Sequence, residues 1–294
     1  MAVWQVRVPA SVANLGSGYD ALGLALSLFL EVEGGPAEED GLVYEGEGEL
    51  SLSHPGESLL HRAWRAAWAR LGEAGPPLFV HVQNPIPLAR GLGSSAAAAV
   101  AGAALADLAS GGRLGRDGVF AVAAELEGHP DNAGASAYGG FVIGYGPPWQ
   151  ALCLEFPAEL LVAVAVPPFE VPTERARAVL PDRVSRSDAV FNLARAALWP
   201  AALLTGRYDL LAEAAADRLH QDARLSLMPG AKEALRAARE AGALAAFVGG
   251  AGPAVAAVAE RERVDRVAGA LWDYAKGGQV MVLEAAGGYT WKEI

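Results

Sequence analysis

The segment Pro87-Leu88-Ala89-Arg90-Gly91-Leu92-Gly93-Ser94-Ser95-Ala96-Ala97 constrains this chain more than any other. It follows a short apolar strand pattern, LFVHVQ at 78–83, and runs into an alanine-rich stretch that reaches about Leu108. A strand, a glycine turn and a long helix in that order bring backbone N–H groups together at the helix start, where the helix adds roughly half a positive charge. Such a nest suits a di- or triphosphate. Ser94 and Ser95 fall at the expected cap, where one hydroxyl can hold the helix and another can meet phosphate or a divalent cation. Arg90 adds a full charge just ahead of them. No lysine follows the glycines, so this is not the GxxxxGK[ST] loop, and it is not GxGxxG either. Read alone, the same residues also spell an ordinary Gly-Ser turn before a capped helix.

Composition narrows the field. The chain has 294 residues, 52% of them hydrophobic and 19% charged, which is globular and long enough for two domains. Its 34 acidic residues outnumber 23 basic ones, for a net charge of -11. That excess argues against a nucleic-acid groove, which selects for Lys and Arg, but leaves room for a local phosphate site. Cys153 is the single cysteine, so neither an intrachain disulfide nor a cysteine metal cluster is expected, and a reducing cytoplasm fits. The first residues lack a charged and then apolar leader pattern. Asp107 interrupts the apolar run 96–109, which is too short for a bilayer, so no membrane partner is expected.

Periodicity predicts strands near 3–8, 22–32, 42–52 and 78–83, and helices over 58–71, from 94 to about 108 and over 117–127. A glycine-rich strand at 139–145 leads to Pro147-Pro148, the first candidate boundary. Beyond it come a strand from Leu160, helices near 174–180, 187–204, 208–219 and 231–241, a strand at 243–248, a helix over 260–275 and a closing strand at 279–283. The order has no regular βαβ beat, which favours an α+β fold. The domains are expected at 1–157 and 158–294.

Three segments, taken together, resemble the GHMP kinases. Residues 87–97 are similar to that family's P-x-x-x-G-L-G-S-S-A-A signature, which wraps the ATP phosphates. Val8-Pro9-Ala10-Ser11-Val12-Ala13-Asn14-Leu15-Gly16-Ser17-Gly18-Tyr19-Asp20 is similar to V-P-A-T-S-A-N-L-G-P-G-F-D of the homoserine-phosphorylating branch. Gly249-Gly250-Ala251-Gly252-Pro253 resembles the third motif, S-G-x-G-P-T, which packs on the phosphate loop. Val12, Ser17, Gly249 and Ala254 depart from these patterns, the last two removing hydroxyls near the loop. The resemblance implies a two-domain fold, with a ribosomal-protein-S5-domain-2-like N-terminal domain and a ferredoxin-like C-terminal domain. ATP would lie near their junction. It also implies a homodimer, although no interface is legible in the residues.

A kinase must orient the attacking hydroxyl and spread charge on the transferred phosphoryl group. Asn14 and Asp20 flank a glycine turn and could converge on one small ligand, or form an Asx-type turn. The resemblance assigns Asn14, Asp20 and Asn132 as catalytic and substrate-contacting, with His129 of His129-Pro130-Asp131-Asn132 also binding the acceptor. Asp131 stays open, because other branches use an Asp base whereas this one works by alignment. Mg²⁺ is expected on Ser95 and Glu125, with Glu127 as the fallback. An amino-acid acceptor, L-homoserine, would place its carboxylate on Arg177 and Arg224, since arginine binds carboxylates through two parallel hydrogen bonds. A shikimate or mevalonate acceptor, or a ligand-binding relative without transferase activity, are the other readings. Trp64 and Trp68, at helical spacing, belong to the core or to an adenine-pocket wall.

Overall fold

The computed structural model describes residues 2–49, 54–56 and 58–294. The first half of the chain forms strands β1 (Trp4–Ala13), β2 (Leu22–Pro36), β3 (Gly41–Gly46), β4 (Leu78–Asn84), β5 (Phe141–Tyr145) and β6 (Gln150–Leu154). Between them lie helices α1 (Leu59–Arg70), α2 (Ser94–Ala109), α3 (Gly115–Glu127) and α4 (Asp131–Tyr138). The second half runs β7 (Leu160–Val166), α5 (Thr173–Ala178), α6 (Arg186–Thr205), α7 (Leu211–Ala214), α8 (Gln221–Leu225) and α9 (Ala231–Glu240). It continues through β8 (Ala245–Val248), β9 (Val255–Glu260), α10 (Val264–Ala270), α11 (Trp272–Ala275), β10 (Gln279–Leu283) and β11 (Thr290–Glu293).

A 7-stranded sheet is ordered β11-β1-β2-β4-β3, with β5 joined to β2 and β6 to β5. The second sheet has 4 strands in the order β10-β7-β9-β8, all antiparallel. Numbered within their own domain, these strands run fourth, first, third, second, the ferredoxin-like arrangement. The expected two-domain α+β fold is therefore the one observed.

Local chemistry explains the elements that matter for the site. β1 alternates until the register shift between Pro9 and Ala10, after which both faces are buried and the strand reads as small residues. Alanine and glycine let α2 sit deep against α1: a Cβ on Gly102 would lie 2.0 Å from the Leu60 carbonyl oxygen. Asp107, the charge inside that apolar run, accepts from the backbone N–H of Leu114 at 2.8 Å and Gly115 at 3.0 Å, and so anchors the start of α3. Trp199 of α6, fully buried, stands between Phe141 of the first sheet and Phe247 of the second, and joins the two domains through one apolar core.

Several expectations are corrected. The expected helix over 208–219 is a single 3₁₀ turn at 208–210 followed by the short α7. The carboxylate of Asp217 accepts from the N–H groups of Leu219, His220 and Gln221, and this local turn replaces helix continuation. The helix expected over 260–275 is two, α10 and α11. β10 does not close the chain: β11 crosses back and pairs with β1, so the C-terminal residues of the expected 158–294 domain complete the first sheet. β3 ends at Gly46, and residues 50–52 of the expected strand lie outside the described residues. Among the described residues no helix is long and apolar enough to cross a membrane.

Candidate active site

A cleft of about 460 Å³ opens between the domains, lined by the glycine loop, the 13–20 turn, the 127–132 corner, α5, Arg224 and Gly250. Its floor is the glycine loop, and two of its glycines are obligatory. Gly91 has φ 79 and Gly93 φ 69, in the left-handed region. A Cβ would meet the Gly249 carbonyl oxygen at 2.0 Å in the first case and Ser11 Oγ at 2.1 Å in the second. Backbone hydrogen bonds lace the loop and the two other recognised segments together. Ser11 N donates to Leu92 O at 3.0 Å, Ala254 N to Arg90 O at 3.1 Å, and Gly250 N to Ala13 O at 3.1 Å. The packing expected of Gly249–Pro253 on the phosphate loop is thus observed in the backbone.

Two details of the loop differ from the sequence reading. Gly93, in the left-handed conformation, occupies the cap of α2, so Ser94 and Ser95 are its first two residues and neither hydroxyl caps it. Ser94 Oγ accepts from Asn84 Nδ2 at 3.2 Å, while Ser95 Oγ donates to Glu127 Oε2 at 2.9 Å. Arg90 lines the cleft, but its guanidinium is directed at protein rather than left free for phosphate. It donates to the carbonyls of Leu88, Pro167 and Pro168 at 3.2–3.3 Å and pairs with Glu170 at 3.1 Å.

The expected partnership of Ser95 with Glu125 is corrected. Glu125 turns outward and pairs with Arg70 at 2.8 Å, whereas Glu127 faces Ser95 and the cleft. Two positions apart at a helix end, the two carboxylates point in different directions. Burial in the cleft wall raises the Glu127 carboxyl above its ordinary value, with Ser95 and His129 opposing. A desolvated carboxylate beside a hydroxyl and a phosphate nest is a hard-oxygen donor set of the kind Mg²⁺ takes.

At the other end of the cleft the acceptor candidates meet. Asn14, at φ 70, accepts from Asp20 N through Oδ1 and donates to Gly250 O through Nδ2, both at 2.9 Å. Its amide thus ties the 14–20 turn to the Gly249–Pro253 segment while it lines the cleft. Asn132 donates to Ser11 Oγ at 2.9 Å beneath the loop. His129 Nδ1 lies 2.5 Å from Asp131 Oδ1, which also accepts from Asn132 N at 2.7 Å. Burial disfavours the His129 imidazolium, but Asp131, with Asp20 and Glu127 behind it, outweighs burial and raises the imidazole's pKa. Asp20, His129 and Asp131 bring ligand atoms within 4.8 Å of one another.

Both arginines reach this end. Arg177 of α5 forks onto Asp20 and also donates to Tyr19 OH at 3.0 Å. Arg224 of α8 is 2% exposed, and its neighbours within hydrogen-bond reach are uncharged: the carbonyls of Ala176 and Gly250 and the imidazole of His220. Burial lowers its pKa, the direction expected of a cation without a paired anion.

Tyr19 was not singled out by sequence reasoning. Its hydroxyl meets Arg177, and its ring lies 5.3 Å from the Arg224 guanidinium. Its signal was its place beside Asp20, where the family pattern has Phe. Trp64 is core: it is 1% exposed and its indole N–H donates to Pro76 O at 2.9 Å. The apolar end of the cleft is lined instead by Leu30, Tyr44, Leu59 and Val82.

Comparison with known proteins agrees with this geometry. Residues 58–140 match the family description "GHMP kinases N terminal domain", and residues 201–275 match "GHMP kinases C terminal". A homoserine kinase of Thermus thermophilus is 56% identical over 290 residues, 98% of each chain. One from Moorella thermoacetica is 44% identical over 254 residues, 86% of each. The crystal structure of homoserine kinase from Cytophaga hutchinsonii superposes with a TM-score of 0.87 at 26% identity, covering 99% of this chain and 97% of that one.

Proposed function

This chain belongs to the GHMP kinase family, and from that premise we propose that it transfers the γ-phosphoryl group of ATP to the hydroxyl of L-homoserine, giving O-phospho-L-homoserine and ADP. The observation that carries the acceptor is Arg224, a guanidinium buried without a carboxylate partner in the cleft that holds the phosphate nest. Burying such a cation uncompensated is costly, by several kcal/mol, and a substrate carboxylate compensates it. Sugars and other neutral polyols bring no such group.

In this reading the N–H groups of the glycine loop and the first turn of α2 cradle the phosphates, and the apolar end beside Tyr44 and Val82 receives the adenine. Ser95 and Glu127 hold Mg²⁺, which supplies charge neutralisation to the phosphoryl oxygens. Arg177 and Arg224 take the acceptor carboxylate and Asp20 its ammonium group. Asn132 and His129 border the hydroxyl, and Asn14 keeps the 14–20 turn and Gly250 in register. Rate enhancement then comes from alignment of the hydroxyl with the phosphoryl group. With this reading go a cytoplasmic site of action and the homodimer that the resemblance implies.

A coupled ADP-release assay with Mg-ATP against homoserine, shikimate, mevalonate and galactose tests it. Turnover with homoserine is expected. Turnover with shikimate or mevalonate in its place would retain a kinase and refute the acceptor. Silence with all four, despite ATP binding, would leave a ligand-binding protein.

A further inference from the structure

Arg224 is oriented by three uncharged acceptors, and one of them is a side chain. Nε donates to Ala176 O at 3.3 Å, and Nη1 donates to Gly250 O at 3.0 Å and reaches Nδ1 of His220 at 3.2 Å. His220 is itself 1% exposed, and its Nε2 lies 2.7 Å from the carbonyl oxygen of Gly16. A carbonyl only accepts, so Nε2 carries the hydrogen; an arginine only donates, so Nδ1 offers its lone pair. Both contacts select the same neutral tautomer.

The surroundings fit that state. Asp217 Oδ2 is 3.8 Å from Nε2, beyond hydrogen-bond reach. The Asp217 carboxylate already accepts from Asn192 Nδ2 and from the N–H groups of Leu219, His220 and Gln221. The Tyr19 ring packs on the imidazole at 5.2 Å, and Asp20 and Arg224 are the other charged groups that act on it. Burial, reinforced by Arg224 and opposed by Asp217, lowers the imidazole's pKa.

We propose that His220 is a positioning residue for acceptor binding: its Nδ1 lone pair orients the Arg224 guanidinium, and its Nε2 hydrogen bond to Gly16 fixes the tautomer that presents that lone pair. The proposal rests on the reading of Arg224 as a carboxylate site. A carboxylate in place of the imidazole would orient the guanidinium equally well but would occupy its charge. An imidazolium would lose the lone pair and set a second cation beside the first. A neutral imidazole orients Arg224 and leaves its charge for the substrate. It also joins the two halves of the acceptor site, because Gly16 precedes Asp20 in the first domain while Arg224 belongs to the second.

Two near-isosteric variants separate the two contacts. His220→Asn keeps an acceptor at the place of Nδ1 and loses the donor to Gly16. His220→Gln keeps a donor at the place of Nε2 and loses the acceptor facing Arg224. We expect His220→Gln to raise KM for homoserine about tenfold, a loss of ~1.4 kcal/mol of binding, with KM for ATP and kcat within about twofold. His220→Asn restores most of that loss. Equal effects of the two variants, or a parallel rise in KM for ATP, would reduce His220 to core packing and overturn the proposal. Arg224→Ala is run alongside. An unchanged homoserine KM there defeats the reading of Arg224 itself; a raised one, with His220→Gln unaffected, defeats only the role of His220. Should either His220 variant fail to fold, ¹⁵N-labelled imidazoles in the unaltered protein decide the question. The expected His220 is neutral with hydrogen on Nε2, and its Nδ1 resonance moves when homoserine is added. An Nδ1–H tautomer or an imidazolium overturns the proposal.

Discussion

Arg177 grips Asp20 across the domain junction, Nη1 on Oδ2 and Nη2 on Oδ1, each at 2.9 Å. The family resemblance places both residues on one substrate, and the fold pairs them with each other. Each supplies to the other what a zwitterionic amino acid would bring. In the proposed reading, binding exchanges one internal ion pair for two, guanidinium to substrate carboxylate and Asp20 to substrate ammonium. Their side chains are 39% and 31% exposed, so the resting pair is a small obstacle, worth ~1 kcal/mol or less.

The exchange predicts dependence on both charges of the acceptor. Arg177→Ala is expected to raise KM for homoserine by one to two orders of magnitude, and Arg177→Lys to recover only part of it, because an ammonium lacks the planar fork. In the unaltered enzyme, 4-hydroxybutyrate, which lacks the amino group, is expected to bind about tenfold more weakly than homoserine. That discrimination should shrink in Asp20→Asn. Steady-state kinetics with both acceptors measure it, and equal KM values in the unaltered enzyme would refute the exchange.

Glu127 and Glu125 give a paired test at the metal end. Glu127→Gln is expected to lower kcat about a hundredfold and to raise the Mg²⁺ concentration needed for half-maximal rate. Glu125→Gln, which loses only an exposed pair with Arg70, should stay within about twofold. Stability should move the other way. Burial raises the folded-state pKa of Glu127, so the folded chain holds a proton that the unfolded chain releases. Stability then falls as pH rises from the ordinary carboxylate value through the raised one. In EDTA at neutral pH, Glu127→Gln is expected to melt above the unaltered protein, and thermal scans check this.

The parts legible in the sequence were those set by short-range rules. Gly91 and Gly93 announce a left-handed turn before a helix, and the apolar periods of β1, α1 and α2 mark what is buried. The residues named by the family resemblance instead, Ser95, Asn14, Asp20, Arg177 and Arg224, all line the cleft. What stayed illegible depends on partners far away in the chain. Whether Glu125 or Glu127 faces Ser95 turns on where α1 places Arg70. The orientation of Arg90 turns on carbonyls 77 and 78 positions away. The loss of helix at 215–219 turns on Asp217, whose turn is held by Asn192 of α6. β11 was passed over because its four residues are exposed and gain their order by pairing with β1.

The glycine loop yields the bluntest prediction. An Ala at position 91 must adopt a left-handed φ, which costs about 1–2 kcal/mol, and its Cβ would sit 2.0 Å from the Gly249 carbonyl oxygen. Backbone meets backbone there, so no side chain can rotate away. Gly91→Ala is expected to separate the loop from the Gly249–Pro253 segment, to lower the melting temperature by several degrees and to raise KM for ATP more than tenfold. Gly111→Ala has open space around its Cβ and a similar φ, so it is the control for conformational strain alone. A Gly91→Ala enzyme indistinguishable from that control would remove the close approach from the argument.

Arg90 separates two accounts of the same residue. If its charge served the phosphates directly, Arg90→Gln would raise KM for ATP alone, and added salt would narrow the gap to the unaltered enzyme. The structure instead places its guanidinium on the carbonyls of Pro167 and Pro168 and beside Glu170, the segment that leads into α5 and Arg177. The side chain is 16% exposed, so these contacts lie largely out of water and fasten the phosphate loop to the acceptor half of the cleft. Losing them should loosen both ends together. Arg90→Gln is expected to raise KM for ATP and for homoserine by similar factors, about three- to tenfold, and to speed amide exchange at Phe169, Glu170 and Val171. An effect confined to ATP, with amide exchange unchanged, would return Arg90 to the phosphates.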